Sequence, residues 1–253
     1  MDKRSFLLLG RSAALDYTQQ ALTRLGCKVL SEPGPAVKNL ILPVPSFESN
    51  GTLKGGSKLE YHLNALPSDV TVYGGNLQSP LLSGYKCVDL LKDTRYVAQN
   101  AAITAHCALK YILDALPVTL HKCPVLILGW GRIGKCLAAL LRQLGADVTV
   151  YARKETDREM LSALGYRTID ISLPTPELQQ YRVICNTAPT LLLTREHLLF
   201  CSPDCFKLDL ASEKGIEGED VVWARGLPGK DTPESSGLLI AETVLRLAKG
   251  AGI

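Results

Sequence analysis

The sequence is poor in aromatic residues and in net charge, and it has no long apolar run. Of its 253 residues only 6% are aromatic, and the formal net charge is +3. Nucleic-acid binding usually needs a basic stripe with interleaved aromatic side chains, so we expect no nucleic-acid partner. No segment approaches the roughly 20 apolar residues of a membrane span, so we expect no membrane partner. The apolar run from Phe6 stops at Gly10, which is too early for a signal peptide, and we expect a cytoplasmic protein.

Metal-binding cysteine patterns are also missing. The eight cysteines include no C-x-x-C pair, and Cys201 and Cys205 have no second Cys/His pair that would complete a zinc site. Most cysteines stand inside apolar segments, as Cys185 does. The sequence therefore predicts buried free thiols in a reducing compartment, and no metal site.

The segment 125–134 carries the most specific pattern in the chain. It places an apolar run before three glycines in G-x-G-x-x-G spacing, Gly129, Gly131 and Gly134. The first would allow a tight turn, the second would let the backbone approach a pyrophosphate, and the third would let a helix pack closely. Apolar residues then recur at helical spacing, and a second strand follows over residues 146–151. The segment predicts a dinucleotide site; the alternative is a strand–helix–strand unit without a ligand.

The second strand ends in Ala152-Arg153-Lys154, where an NAD site usually has a carboxylate. Arg153 stands 19 residues after Gly134 (153 − 134), close to the usual spacing of about 20. A carboxylate there binds the ribose 2′-hydroxyl of NAD, whereas two cations would pair with the 2′-phosphate of NADP. We therefore predict NADP(H) in preference to NAD(H). The alternative is that both cations are solvated residues of an exposed turn.

Strand and helix patterns alternate along most of the chain, which is typical of doubly wound parallel sheets. We predict the α/β class with two doubly wound α/β domains, the second a Rossmann dinucleotide-binding domain. The predicted parts are an N-terminal substrate-side α/β domain over 1–96, a linking helix over 97–117, the Rossmann NADP-binding domain over 118–235 and a C-terminal helix over 236–253. That last helix could return to the first domain. Residues 49–58 are rich in turn formers, and residues 49–56 are expected to be flexible.

Further cofactor contacts are predicted where strands end in small and polar residues. Such turns follow the predicted strands 183–186 and 206–210, and another precedes the last helix at 226–230. In an open α/β sheet the ligand binds beyond the carboxyl ends of the strands. The predicted cofactor-binding residues are Gly129, Trp130, Gly131, Arg132, Ile133, Gly134, Ala152, Arg153, Lys154, Asn186, Thr187, Ala188, Pro189, Asp209, Ala211, Leu227 and Pro228.

Six blocks of the sequence resemble the A subunit of bacterial dipicolinate synthase. They are residues 39–44, 128–134, 144–153, 184–189, 208–212 and 226–230. The resemblance implies a two-domain fold like that of the hydroxyacid dehydrogenases. It also implies an NADP-linked oxidoreductase that forms dipicolinate from a (hydroxy)tetrahydrodipicolinate or dihydrodipicolinate precursor during sporulation. It further implies a small dicarboxylate substrate and a flavoprotein-like B subunit, and we expect a homo-oligomer.

The chain departs from this family at two places. The family's strand-end turn Gly-Gly-Asp-x-Arg-Gln is replaced at residues 10–15 by Gly-Arg-Ser-Ala-Ala-Leu, so its Asp and Arg are lost. The family's Asn-x-x-Pro-Thr-x-Glu-Gly segment appears at residues 100–107 with only Asn100 and Thr104 kept. Both departures lie in the half that is expected to meet the substrate, so the substrate stays open.

The candidate catalytic residues follow from this resemblance and from the chemistry it implies. Oxidation of a dihydropyridine-like ring gains aromaticity, so hydride transfer needs mainly positioning and removal of a proton. The residues predicted to take part are Asn100, Thr104, His106, Ser212 and Lys230. A dicarboxylate needs cations, and the candidates are Arg11, Arg132, Arg225 and Lys230, each of which could instead be a solvated surface charge.

Two other functions stay open. A 2-hydroxyacid-dehydrogenase-like enzyme acting on another substrate would need a catalytic histidine after the last strands, and the four histidines end at His197. A non-catalytic NADP-binding subunit, or a diverged paralogue, would fit the loss of polar residues at 10–15 and 100–107.

Overall fold

The computed structural model describes residues 5–56, 58–172 and 174–250 of the chain. These residues form two compact units. The first unit combines the chain up to Asn100 with the chain from Pro228 onward, and the second runs from Ala101 to Leu227. The domain boundaries predicted from the sequence stay predictions, since a compact unit need not fold independently.

The first unit is built on a parallel sheet of five strands in the order β2-β1-β3-β4-β5. Successive side chains of a strand point to opposite faces, and the neighbours Phe6 and Leu7 are both buried. Burial on both faces explains why β1 is apolar from Phe6 to Leu8. The strands are β1 Ser5–Leu8, β2 Lys28–Leu30, β3 Asn39–Ile41, β4 Thr71–Gly74 and β5 Lys86–Asp89.

Helix α1 (Ala13–Arg24) begins and ends at local signals in the sequence. The Ser12 hydroxyl accepts a hydrogen bond from the Leu15 amide at 3.1 Å, which caps the first turn. Gly26, at φ +74°, follows the last turn in the left-handed conformation that ends many helices. The short helix α2 (Leu59–Leu63) precedes β4.

The loop over residues 46–56 contacts the turn that follows β1. The Arg11 amide donates a hydrogen bond to the Lys54 carbonyl at 3.0 Å, and the Leu53 side chain is buried. Gly55 lies at φ +89°, and a Cβ there would come within 2.3 Å of the Arg11 nitrogen. Gly55 is therefore required by close packing against Arg11, and the flexibility expected of residues 49–56 stays a prediction.

Helix α3 (Thr94–Ala115) contains the point at which the chain passes from the first unit to the second. It begins three residues earlier than the predicted start at Val97. The reason is a cap, since the Asp93 carboxylate accepts a hydrogen bond from the Tyr96 amide at 2.8 Å. Pro117 follows soon after its end, as expected of a residue that cannot continue a helix.

The second unit contains six parallel strands in the order β11-β10-β9-β6-β7-β8. The chain reverses its winding between β6 and β9, which is the topology of a dinucleotide-binding sheet. The strands are β6 Pro124–Leu128, β7 Asp147–Tyr151, β8 Arg167–Thr168, β9 Val183–Asn186, β10 Phe206–Asp209 and β11 Val221–Trp223. The helices are α4 Arg132–Gln143, α5 Glu155–Ala163 and α6 Arg195–Leu198.

Two elements of this unit have weak sequence patterns. Strand β8 pairs with β7 over two residues only. Helix α5 was not predicted, because Leu161 is its one buried residue and so it shows no apolar periodicity.

Two helices end the chain, α7 (Leu227–Asp231) and α8 (Pro233–Gly250). Helix α8 packs on α1: the Thr18 hydroxyl donates to the Gly237 carbonyl at 3.2 Å, and a Cβ on Gly237 would lie 2.5 Å from the Ala14 carbonyl oxygen. The last helix therefore returns to the first unit, and the predicted fold class of two parallel α/β units is confirmed. In the described part of the chain, no helix combines the length and apolar character needed to cross a bilayer.

Candidate cofactor site

Each of the three glycines in the turn after β6 meets a different requirement. Gly129 lies at φ +106°, which favours glycine, and a Cβ on Gly134 would come within 2.3 Å of the Gly129 carbonyl oxygen. These two glycines are therefore required by the fold. Gly131 has an ordinary φ of −79°, and nothing lies within 4 Å of the position of its missing Cβ. The fold does not require glycine there, whereas a closely bound phosphate would.

The N-terminus of α4 faces this turn, and no side chain of the described residues caps its amides. Gly131 is the N-cap residue and offers no side-chain hydrogen bond, and the first turn contains no acidic residue. The free N–H groups and the helix dipole make such an end a binding site for anions. The turn therefore fits the pyrophosphate of a dinucleotide.

The turn after β9 lies directly beside the glycine turn. Strands β6 and β9 are neighbours, with Leu128 opposite Asn186. The Thr187 amide and hydroxyl both donate to the Leu128 carbonyl, at 2.8 and 3.1 Å. A Cβ on Gly129 would come within 2.8 Å of the Thr187 hydroxyl oxygen. The two turns meet at the point where the strand order reverses, which is where open α/β sheets bind ligands.

Asp209, at the end of β10, is the buried hub that fixes these turns. One carboxylate oxygen accepts hydrogen bonds from Asn186 Nδ2 at 2.9 Å and the Ala211 amide at 3.0 Å. The other accepts from the amides of Gly215 at 2.7 Å and Ile216 at 3.1 Å. Its four acceptor positions are thereby used by the protein. Asp209 holds the turns in place and has no position left for a ligand.

The turn after β7 exposes the two predicted phosphate-binding cations. Ala152 is buried in the core, whereas Arg153 and Lys154 are exposed. Arg153 forms no ion pair with any described residue. Arg158 Nη1 donates to the carbonyls of Ala152 and Arg153, at 3.1 and 2.8 Å, and so fixes the backbone of the turn. No sequence pattern indicates this role of Arg158.

The remaining predicted cofactor residues divide into exposed and buried ones. Trp130 is half-buried and meets the Tyr166 ring edge-on at a centroid distance of 5.5 Å. Arg132 and Pro189 are exposed, whereas Ala211 and Leu227 are buried. Ile133 and Ala188 are half-buried, and Pro228 is buried.

The predicted catalytic residues are divided between the two units, with Asn100 and Lys230 in the first and Thr104, His106 and Ser212 in the second. Asn100 and Thr104 stand one helical turn apart on α3, so they share a face, and Thr104 is buried. His106, two residues further, is exposed on another face. Ser212 is exposed after β10, and Lys230 is exposed on α7. Their roles stay predictions.

Two other groups of candidate reactive residues have structural roles. His197 Nδ1 accepts a hydrogen bond from the Thr194 amide at 3.3 Å, so Nε2 carries the proton and donates to the Ile171 carbonyl at 3.1 Å. All eight cysteines are free, and burial raises the pKa of Cys205 to about 12. Such thiols stay protonated and are poor nucleophiles. Within the described residues no three His, Cys, Asp or Glu side chains come together as a metal ion would need.

Sequence reasoning missed two residues. A Cβ on Gly215 would lie 2.3 Å from Asn186 Nδ2, so this glycine makes room for the Asn186–Asp209 contact. Asp231, on α7, has one carboxylate oxygen that is enclosed and has no hydrogen-bond partner among the described residues. An enclosed oxygen without a donor is unusual and often marks a functional group. Neither residue belongs to a motif that the sequence could have revealed.

Comparison with known proteins finds proteins that are similar to this chain in sequence. Residues 90–198 match the family described as D-isomer specific 2-hydroxyacid dehydrogenase, NAD binding domain. The A subunit of dipicolinate synthase from Bacillus subtilis (strain 168) is 25% identical over 244 residues, which cover 87% of this chain and 81% of the relative. The chain is similar to the dipicolinate synthase A subunit. The resemblance predicted from the sequence is thereby confirmed, and the NAD-binding domain supports a nicotinamide dinucleotide as cofactor.

Solved structures agree on the fold. The A subunit of dipicolinate synthase from Bacillus halodurans superposes with a TM-score of 0.81 at 21% identity, covering 97% of this chain and 98% of the other. The corresponding protein of Bacillus subtilis also gives a TM-score of 0.81, at 20% identity, with 99% and 97% covered. At these identities the likeness concerns the fold alone.

Proposed function

We propose that the chain is an NADP-linked oxidoreductase that forms dipicolinate from a (hydroxy)tetrahydrodipicolinate or dihydrodipicolinate precursor. The observation that carries this proposal is the relationship to the dipicolinate synthase A subunit over 87% of the chain. The open space at Gly131 beside an uncapped helix N-terminus adds a site suited to the cofactor's pyrophosphate. When bound, a nicotinamide cofactor supplies the hydride chemistry.

The preference for NADP(H) rests on the turn after β7. Arg153 and Lys154 are exposed and form no ion pair with a described residue, and Arg158 holds their backbone in place. Two available cations can form charge-assisted hydrogen bonds with a 2′-phosphate, whereas a ribose hydroxyl gains less from them. We place the other cofactor contacts at Gly131, at the α4 amides and at the turn after β9.

For Asp209 we propose a positioning role instead of the direct contact predicted from the sequence. Because its oxygens already accept four hydrogen bonds, we propose that it positions the turn at Asn186 and the loop at Gly215. A residue of this kind affects cofactor affinity through the shape of the site.

The substrate half of the site is proposed from charge and position. A dicarboxylate needs cations, and Arg11 is exposed where β1 ends, at the carboxyl edge of the sheet of the first unit. Arg132, Arg225 and Lys230 are exposed as well. Among the catalytic candidates, Ser212 and Lys230 are exposed to solvent, and Thr104 is buried on α3. We propose Asn100 and Thr104 as positioning residues and keep His106 as a candidate for the proton step.

Two further functions have observations in their favour. The match of residues 90–198 favours a 2-hydroxyacid-dehydrogenase-like enzyme on another substrate, although His197 is occupied by structural hydrogen bonds. The departures at residues 10–15 and 100–107 favour a non-catalytic NADP-binding subunit or a diverged paralogue. We propose that the partner is a B subunit, because the relative is named as one subunit of a synthase. A homo-oligomer, a cytoplasmic location and a part in sporulation complete the proposal.

Cofactor preference can be measured by quenching of tryptophan fluorescence, since Trp130 lies in the glycine turn. We expect NADPH to bind more tightly than NADH. Arg153→Ala should weaken NADPH binding by about 10- to 100-fold, the loss of one charge-assisted hydrogen bond, and should leave NADH binding nearly unchanged. Arg167→Ala, which removes an exposed arginine of β8, is the matched control. Tighter binding of NADH, or an equal loss for both cofactors, would contradict the preference.

Turnover is tested with enzymatically generated precursor, NADP⁺ and the purified chain, with and without a B subunit. The proposal expects formation of dipicolinate together with reduced cofactor. Binding of NADPH with no turnover in either mixture would favour the non-catalytic subunit. Turnover of a 2-hydroxy acid instead would favour the dehydrogenase alternative.

A further inference from the structure

A cavity of about 630 Å³ is lined entirely by residues of the first unit. It is bounded by the first turn of α3, by the last turns of α8 and by one face of β4 and β5. Its volume falls in the range of small-molecule pockets, about 300–1,000 Å³. The polar residues that line it and matter here are Thr71, Tyr73, Lys86, Thr94, Arg95 and Arg246.

The cavity is electropositive. Lys86, Arg95 and Arg246 contribute three cations, and Asp93 contributes one carboxylate. That carboxylate is already used, since it caps α3 through the Tyr96 amide and pairs with Arg246 at 2.6 Å. The side chains of Lys86 and Arg95 form no ion pair with any described residue. Two cations therefore remain to meet a negatively charged ligand.

Tyr73 adds an observation that is independent of the charges. It is only 1% exposed, and its hydroxyl forms no hydrogen bond with a described residue. Tyr73 lines the cavity, and its hydroxyl oxygen is not one of the fully enclosed polar atoms that lack a partner. The hydroxyl is therefore accessible from the cavity. Burial raises the pKa of Tyr73 to about 12, so the group stays a proton donor. A ligand oxygen in the cavity would accept the hydrogen bond that this hydroxyl donates to no described residue.

We propose that this cavity binds a small dianionic metabolite, with Arg95 and Lys86 pairing with its charge and the Tyr73 hydroxyl donating a hydrogen bond to it. Phosphate monoesters and dicarboxylates share this chemistry. The hydroxyls of Thr71 and Thr94 add two donors, and the positive end of the α3 dipole lies at the same place. The site is independent of the proposed oxidoreductase function, since all its residues belong to the first unit.

The binding test is calorimetric titration of the full chain with inorganic phosphate and, separately, with succinate at constant ionic strength. Tyr73→Phe should weaken the binding of at least one probe by about 3- to 10-fold, the loss of one neutral hydrogen bond. Arg95→Ala should weaken it by about 10-fold or more. Arg167→Ala, which removes an exposed arginine of the second unit that lies in neither proposed site, is the control and should leave this binding unchanged.

The outcomes separate the sources of the ligand. Tighter binding of phosphate identifies a phosphate monoester, and tighter binding of succinate identifies a dicarboxylate. Absence of binding by both probes would overturn the proposal, as would binding that Tyr73→Phe and Arg95→Ala leave unchanged. Tyr73→Phe removes only an unpartnered hydroxyl, so the unliganded variant should melt no lower than the parent chain. A lower melting temperature would mean that the hydroxyl has a structural partner, and this too would overturn the proposal.

Discussion

Replacement of Asp209 by asparagine gives the sharpest test of how the cofactor site is held together. The side chain is fully buried and accepts four hydrogen bonds, from Asn186 Nδ2 and from the amides of Ala211, Gly215 and Ile216, over 2.7–3.1 Å. Asparagine has nearly the same shape, but one of its two terminal atoms is a donor. In either orientation of the amide, two of the four N–H groups lose their acceptor and face another N–H group.

The cost can be worked out from this count. A buried donor left without an acceptor costs about 1–3 kcal/mol, so two of them, after some relaxation, should destabilise the second unit by about 3 kcal/mol. This corresponds to a fall in melting temperature of roughly 6–12 °C. The turn at Asn186–Ala188 should shift as well, so affinity for the dinucleotide should fall together with stability.

The assay is urea unfolding followed by tryptophan fluorescence. The chain has two tryptophans, Trp130 and Trp223, and both lie in the second unit, so the signal reports on this unit. Glu213→Gln is the matched control, because it removes the same charge from an exposed position of the neighbouring loop. If Asp209→Asn lowers cofactor affinity while the free energy of unfolding changes by less than about 0.5 kcal/mol, the positioning role is refuted in favour of a direct contact.

Three other predictions can be checked on the same chain. Gly131→Ser should weaken dinucleotide binding without loss of stability, because the position is open and serine is a good N-cap. Gly134→Ala should instead lower the free energy of unfolding by about 1–2 kcal/mol in urea unfolding. Equal stability losses in the two variants would contradict this. Gly237→Ala should destabilise the α1–α8 contact by about 1–2 kcal/mol, measured by amide exchange in these helices, and unchanged exchange would contradict it. Burial raises the pKa of Asp93, but the hydrogen bonds from the Tyr96 amide and Arg246 outweigh burial, so the pKa is lowered. The ionised Asp93 therefore stabilises the fold above its unfolded-state pKa of about 3.9, and this stabilisation is lost as the pH falls through the lower folded-state pKa. Asp93→Asn should flatten the acid limb of the stability curve, and an unchanged limb would refute this.

The glycine turn could be predicted from the sequence because its requirements are local. Gly129 needs an unusual φ, and Gly134 must avoid an atom only five residues away. Spacing along the chain therefore carries the geometry. The cation at Arg153 is predicted in the same way, because the distance from the fingerprint to the end of β7 is set by one helix and one strand.

The sequence could not predict that Asp209 fixes the neighbouring turns through hydrogen bonds. Its partner Asn186 lies 23 residues earlier in the chain, and Gly215 matters only because it makes room for that partner. Residue type alone favours a ligand contact for a polar side chain at a strand end, and only the hydrogen bonds reveal that its acceptors are used. The loop at 46–56 is a similar case, since Gly55 is explained by packing against Arg11.

The sequence by itself determined the alternating α/β class, the dinucleotide turn and the resemblance to the dipicolinate synthase A subunit, since each depends on short-range spacing. Only the tertiary structure decided which residues from distant parts of the chain are neighbours. It brought α8 back onto α1, joined Asn186 to Asp209, and gathered Tyr73, Arg95 and Arg246 around one cavity. These groups come from distant parts of the chain, and sequence patterns do not encode contacts that depend on how sheets and helices pack.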